Sequence, residues 1–145
     1  MAAIASLHLV AAVFGAAGET GVRVKEKILS EELGALAALE GVKSCALVDS
    51  QSGLVWHAVG TEPAAEELWE AAIDYWRLHG RSYTHFAALG ELGAAVLNHL
   101  HAVPAIIPCA ARSDLLVVCI ASHQGMNWRD WQRRVRAMGE RLNSL

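Results

Sequence analysis

From Leu115 to Ile120 the chain reads LLVVCI, apolar without a break and rich in β-branched residues. Such a run predicts a strand buried on both faces near the centre of a sheet. Two more apolar runs precede it, Leu92–Leu100 and Val103–Cys109, so three strands follow one another. Pro104 and Pro108 lack an amide donor and are expected at strand ends or in a poorly paired stretch. Further upstream, Ser44–Val48 and Leu54–Val59 flank Asp49-Ser50-Gln51-Ser52-Gly53, whose Asp and Gly suit a turn. These two runs predict a β-hairpin.

The helical signals lie between and around the strands. Ser30 reads as an N-cap, with Glu31 and Glu32 in the first turn, Leu33, Leu36 and Leu39 as an apolar stripe, and Gly41 as the stop. Glu19–Lys27 reads as a charged connector, and Met1–Gly18 is apolar with a pattern that fits helix and strand alike. A second helix is expected over Glu62–Leu78, with Thr61 as cap and Pro63 in its first turn. Its polar residues Glu66, Glu67, Glu70, Asp74 and Arg77 fall in one compact sector. The remaining arc carries Ala65, Leu68, Trp69, Ala71, Ala72, Ile73, Tyr75, Trp76 and Leu78. That arc exceeds half the circumference, whereas a helix on one sheet needs a stripe of only about 100°. The helix therefore lies between two layers of its own domain, or it covers its sheet and meets a second molecule. The scarcity of other elements favours the second arrangement, with Trp69 and Trp76 in the surplus face. Gly80–Leu89 reads as a loop or a frayed helix end. Asn127 then caps a last helix in which Trp128, Trp131, Val135, Met138 and Leu142 form one stripe, the arginines lying mostly opposite.

The order helix, strand, strand, helix, strand, strand, strand, helix predicts a five-stranded antiparallel sheet with helices packed on it, an α/β layered domain. The segment Gly41-Val42-Lys43-Ser44-Cys45-Ala46-Leu47-Val48-Asp49, three further residues, then Gly53-Leu54-Val55, resembles the opening hairpin of the roadblock/dynein light chain family. Leu115–Ile120 followed by the Asn127-led helix is similar to that family's last strand and helix. The resemblance spans about residues 30–142. It departs from the family at His101–Ala111, where two prolines stand in place of a plain strand. It implies a roadblock-like domain over residues 28–145, with residues 1–27 as an N-terminal extension. It implies, too, a non-catalytic scaffold that dimerises by pairing the third strand and the central helix across a twofold axis. On this chain the dimer or partner interface would comprise Leu68, Trp69, Ala72, Ile73, Trp76, Ala94, Val96 and Asn98. The implied role is a regulatory adaptor that recruits or modulates a small Ras-like GTPase or a signalling complex, with no cofactor.

Composition narrows the alternatives. The 145 residues suffice for one domain with its own core, and 54% are apolar. A net charge of −3 argues against a nucleic-acid platform. Acids concentrate in Glu62–Asp74 and arginines in Trp128–Leu145, so two exposed faces of opposite sign are expected. Cys45, Cys109 and Cys119 have no CxxC spacing and apolar surroundings, which points to buried free thiols in a reducing, cytoplasmic setting. The N-terminal apolar stretch lacks the basic start of a secretion signal and is too short for a stable membrane insertion. His99 and His101 stand two apart on an expected strand and could share a metal, but no acid or cysteine lies at ligand spacing, so surface histidines are the simpler reading. Neither GxxxxGK[ST], GxGxxG nor GxSxG occurs, so no phosphate loop or nucleophile elbow is encoded. A small-molecule sensor domain of the profilin-like or PAS-like kind, built on the same sort of sheet, is the alternative function; a hydrolase with a dispersed site has no motif behind it.

Overall fold

The computed structural model describes residues 19–61, 65–110 and 113–144. Five antiparallel strands form one sheet: β1 (Val42–Asp49), β2 (Val55–Gly60), β3 (Ala95–Val96), β4 (Val103–Pro108) and β5 (Leu115–Ala121), in the order β2-β1-β5-β4-β3. Among the described residues four helices accompany them: α1 (Glu19–Ala37), α2 (Ala65–Arg81), the single turn α3 (Tyr83–Phe86) and α4 (Trp128–Asn143); a 3-10 turn, Ala87–Leu89, follows α3. The architecture is the expected α/β layered one, and the continuous apolar run is the central strand β5.

The register divides the core into two slabs. Opposed residues on neighbouring strands share a face. Cys45, Cys119 and Ala105 form one row, and Leu47, Val117 and Ile107 another on the same face. Onto it pack Leu29, Leu33 and Leu36 of α1 and Trp131, Val135, Met138 and Leu142 of α4. The opposite face presents Ala46, Val48, Ile106, Leu116, Val118 and Ile120, covered by Trp69, Ala72 and Ile73 of α2. Among the described residues two long helices thus cover one face and one long helix covers the other. An ion pair between Arg141 and Glu32 joins α4 to α1.

Local chemistry accounts for the element ends. Asn127 caps α4 as expected, its Oδ1 accepting from Asp130 N at 3.1 Å. The β1–β2 turn is held by Asp49 Oδ1, which accepts from Gln51 N at 2.8 Å and Ser52 N at 3.2 Å. Gly139 marks a close helix-to-sheet approach, since a Cβ there would collide with the Cys109 carbonyl oxygen.

Several boundaries differ from the sequence expectation. Ser30 is no N-cap and Glu19–Lys27 no connector, because α1 runs unbroken through both. Lys25, Leu29, Leu33 and Leu36 are buried at helical spacing, while Arg23 and Lys27 are exposed. Arg23 and Lys27 belong to the solvent side of a longer amphipathic helix, and Lys25 lies in its buried stripe. The expected domain boundary at residue 28 falls inside this helix. Gly80–Leu89 is not a plain loop; α2 continues to Arg81, and α3 and the 3-10 turn follow. The strand expected over Leu92–Leu100 shrinks to Ala95–Val96. There Leu97 N donates to Pro104 O at 2.9 Å, but proline has no N–H to return the bond, and the ladder stops. On the other side β4 stays paired with β5 along its length, so both prolines spend their missing donors toward β3. The reading of Met1–Gly18 and the start of the second helix at Glu62 lie outside the described residues.

Candidate functional site: an apolar flank beside a short edge strand

Helix α2 carries more apolar surface than its sheet can cover. Trp69 is 1% exposed and Ala72 and Ile73 are equally buried, all three seated on the protomer's own sheet; Leu68 and Trp76 are half-buried beside them. Trp69 is thus core within a single copy. The surplus sits one step further round the helix, where Tyr75 is 48% and Leu78 52% exposed, with Ala71 open between them. Successive residues advance by about 100°, which puts Leu68, Ala71, Tyr75 and Leu78 on one flank of the buried stripe and Arg77 on the other.

Two observations orient that flank. Arg77 Nε donates to Ser50 O at 2.7 Å and Nη2 to Gln51 O at 3.1 Å, which locks its side of α2 to the β1–β2 turn. On the other side, Trp76 and His79 line a cavity of about 350 Å³ with Glu91, Leu92, Pro108 and Asp114, at the end of β4 and the approach to β3. The Tyr75 flank therefore looks toward the β4–β3 side of the sheet. Phe86 of α3, 42% exposed, stacks on His79 with ring centroids 5.3 Å apart, and so extends the flank past the end of α2.

β3 is an edge of the sheet. Since the Leu97 amide points inward to Pro104, the alternation of an antiparallel strand turns the N–H and C=O of Val96 and Asn98 outward. Val96 and Asn98 are exposed and Ala94 is half-buried. A short edge with outward amides beside an exposed apolar flank is the arrangement that accepts another chain by strand addition.

The residues expected at an interface thus fall into two sets. Trp69, Ala72 and Ile73 form the floor; Leu68, Trp76, Ala94, Val96 and Asn98 lie at or near the surface. Sequence reading placed Tyr75 and Leu78 in the apolar arc without singling them out, and it missed Phe86, which stood in the Gly80–Leu89 stretch read as a loop or a frayed helix end. The lone base within an acidic sector, Arg77, was the available sign of a fixed anchor.

The other candidates give less. His99 and His101 stand in the loop after β3, both exposed, and not on a strand. Among the described residues no three His, Cys, Asp or Glu side chains are placed to hold a metal ion. Burial pushes the Cys45 thiol up to about 12. Burial likewise raises Cys109 to about 12 against a lowering influence from Arg136, and it raises Cys119 as well. Such thiols are protonated at neutral pH and poor nucleophiles. Cys45 donates to Leu33 O at 3.3 Å, a packing contact between sheet and α1. No described helix is long and apolar enough to cross a membrane.

The chain matches no protein-family model and no curated protein sequence. Its structure does match solved ones. A Roadblock/LC7 domain from Streptomyces avermitilis superposes with a TM-score of 0.63 at 14% identity, over 77% of this chain and 90% of the other. The gliding protein MglB of Thermus thermophilus gives 0.61 at 13% identity, over 83% and 89%. An MglB solved in a tetrameric arrangement gives 0.60 at 14% identity, over 82% and 87%. At these identities the likeness establishes architecture, and this chain has the roadblock/LC7 fold.

Proposed function

We propose that this protein is a non-catalytic, self-associating regulatory adaptor. Two copies pair through the outward edge of β3 and the Tyr75–Leu78 flank of α2, so that the sheets join across a twofold axis. The joined surface recruits or modulates a small Ras-like GTPase or a signalling complex in the cytoplasm. The observation that carries the reading is the exposed apolar flank next to an edge strand whose amides point outward. The tetrameric arrangement of one structural neighbour is consistent with association through such a fold.

Within this reading, Leu68, Trp76, Ala94, Val96 and Asn98 join Tyr75 and Leu78 in the contact. Trp69, Ala72 and Ile73 hold α2 at the height from which its flank can reach a partner. Sedimentation velocity at high salt tests the pairing. The wild type should run as a dimer, and Tyr75→Glu with Leu78→Glu as a folded monomer. An unchanged dimer in that variant would remove this face from the account. Retention of a nucleotide-binding protein on the immobilised dimer, with an affinity that differs between GDP and a non-hydrolysable GTP analogue, tests the GTPase; indifference to nucleotide counts against it.

The second reading, a small-molecule sensor, draws on the cavity of about 350 Å³ between Trp76, His79 and Asp114. A ligand retained in native mass spectrometry, and lost in Trp76→Ala, would favour it.

A further inference from the structure

Helices α2 and α4, on opposite faces of the sheet, carry outer surfaces of opposite charge. On the outer surface of α2, Glu66, Glu67, Glu70 and Asp74 are all exposed, and among the described residues none of them has an ion-pair partner. On the outer surface of α4, Arg129, Arg133 and Arg136 lie with Gln132, Ala137 and Glu140 on one open face of the helix. Asp130 offsets part of that charge through Arg134 at 3.0 Å and the exposed Arg133 at 3.7 Å. Arg129 and Arg136 have no such partner among the described residues. Each helix also packs through its opposite stripe, so the charged sides point away from the sheet.

The two surfaces cannot satisfy each other within one copy. A helix, a sheet and a second helix separate them, roughly 20 Å from axis to axis for layers packed about 10 Å apart. That exceeds the screening length of about 10 Å at 0.1 M salt. Between copies they match in sign, in extent and in being single helices of similar length, 17 residues for α2 and 16 for α4.

We propose that the arginine face of α4 is a docking surface for the acidic face of α2 from a second copy of this chain. The contact is front to back: one copy offers α2, the next offers α4. It is therefore heterologous, and each copy keeps an unused acidic face and an unused basic face for further neighbours. Pairing through β3 would leave both acidic faces of a dimer on one side and both basic faces on the other, so the contact does not depend on that pairing and is compatible with it. Charge-dominated contacts of this kind form quickly and weaken steeply with salt.

Two charge-reversal variants of the full chain test the docking: Arg129→Glu with Arg133→Glu, and Glu67→Lys with Glu70→Lys. All four positions are exposed, and unfolding curves check that each variant retains the fold. Sedimentation velocity is run at 25 mM and 500 mM NaCl. The wild type should show larger species at low salt that disappear at high salt. Each variant alone should lose them, because its two faces now carry the same sign. Mixed in equal amounts, the two variants should recover them, since each supplies the face the other lacks. Salt-independent wild-type behaviour, or a mixture that stays dispersed, overturns the proposal. So does pelleting of the wild type with vesicles of phosphatidylcholine and phosphatidylserine, lost in the arginine variant, in the absence of low-salt growth; the arginine face would then be a lipid surface. A dimer that persists at 500 mM salt reports on the β3 pairing alone, so the two readings fail separately.

Discussion

Gly139 offers the sharpest test of how α4 is seated. The helix lies so close to the end of β4 that a Cβ at this position would collide with the Cys109 oxygen and lie 3.0 Å from its carbonyl carbon and 3.1 Å from its Cβ. The first two are backbone atoms at the end of a paired strand and cannot swing aside. Restoring ordinary contact moves the helix outward by about 1 Å, which loosens Trp131, Val135, Met138 and Leu142 against the sheet. Overpacking of this kind costs about 1–3 kcal/mol. Alanine also gains about 1 kcal/mol over glycine inside a helix. A single variant would confound the two contributions. Gly34 in α1 provides the reference, since a Cβ there meets nothing within 4 Å. Gly34→Ala should therefore be stabilising by about 0.5–1 kcal/mol, and Gly139→Ala should lie roughly 2 kcal/mol below it. In urea unfolding followed by tryptophan fluorescence, that separates the two midpoints by about 1 M. Protein concentration must be held constant, because association adds to apparent stability. If the two variants agree within about 0.5 kcal/mol, α4 does not approach β4 as described.

Three further outcomes follow from particular residues. Asn127→Ala removes the side-chain acceptor at the start of α4 and should cost about 1 kcal/mol, while Asn127→Asp should retain most of it; thermal melts decide. The thiols give a pH dependence. Their protonated form is favoured in the fold, with Cys45 and Cys109 held at about 12 against 9.0 in the unfolded chain, so their contribution is complete below pH 9 and is lost as pH rises toward 12. Each thiol should lower stability by about 1.4 kcal/mol per pH unit in that window, seen as a falling urea midpoint, and native protein at pH 8 should resist a disulfide reagent that labels the unfolded chain at once. Arg77→Ala deletes both bonds to the Ser50 and Gln51 carbonyls and should cost about 1–3 kcal/mol, with Arg77→Lys recovering only part because a single ammonium cannot span both acceptors as the guanidinium does.

What could be read from the sequence was whatever rests on burial of one continuous element. LLVVCI identified the central strand because a strand covered on both faces must be apolar at every position. The Trp131, Val135, Met138, Leu142 stripe identified α4, and the Asp49–Gly53 chemistry identified the hairpin. The errors arose where one residue serves two purposes. Lys25 counts as charge in a composition window but lies in the buried stripe of the helix, and this hid the first half of α1 behind an apparent connector. Pro104 lies in an apolar run that looks like half of a hairpin, yet its missing amide cuts the β3 ladder to two residues.

The same distinction explains why the candidate surface was only half legible. Helical geometry sets the width of the apolar arc on α2, and that was visible in advance. Which part of the arc the sheet consumes depends on helix roll, which goes with the seating of Trp69, Ala72 and Ile73 on the sheet and with contacts distant in sequence such as the bond from Arg77 to Ser50, 27 residues away. Roll decides whether Trp69 or Tyr75 faces solvent. Here it turns Trp69 inward and leaves Tyr75 and Leu78 beside the edge with outward amides. Trp69, expected in the surplus face because it widens the apolar arc, is thus seated on the sheet, and the surface open to association belongs to its less conspicuous neighbours. A variant that releases one side of α2 from the β1–β2 turn, Arg77→Ala, should accordingly disturb self-association without touching any residue of the flank. Its dimer should dissociate more readily than wild type at equal salt, whereas an unaltered dimer would mean that the Arg77 anchor does not govern which face of α2 is presented.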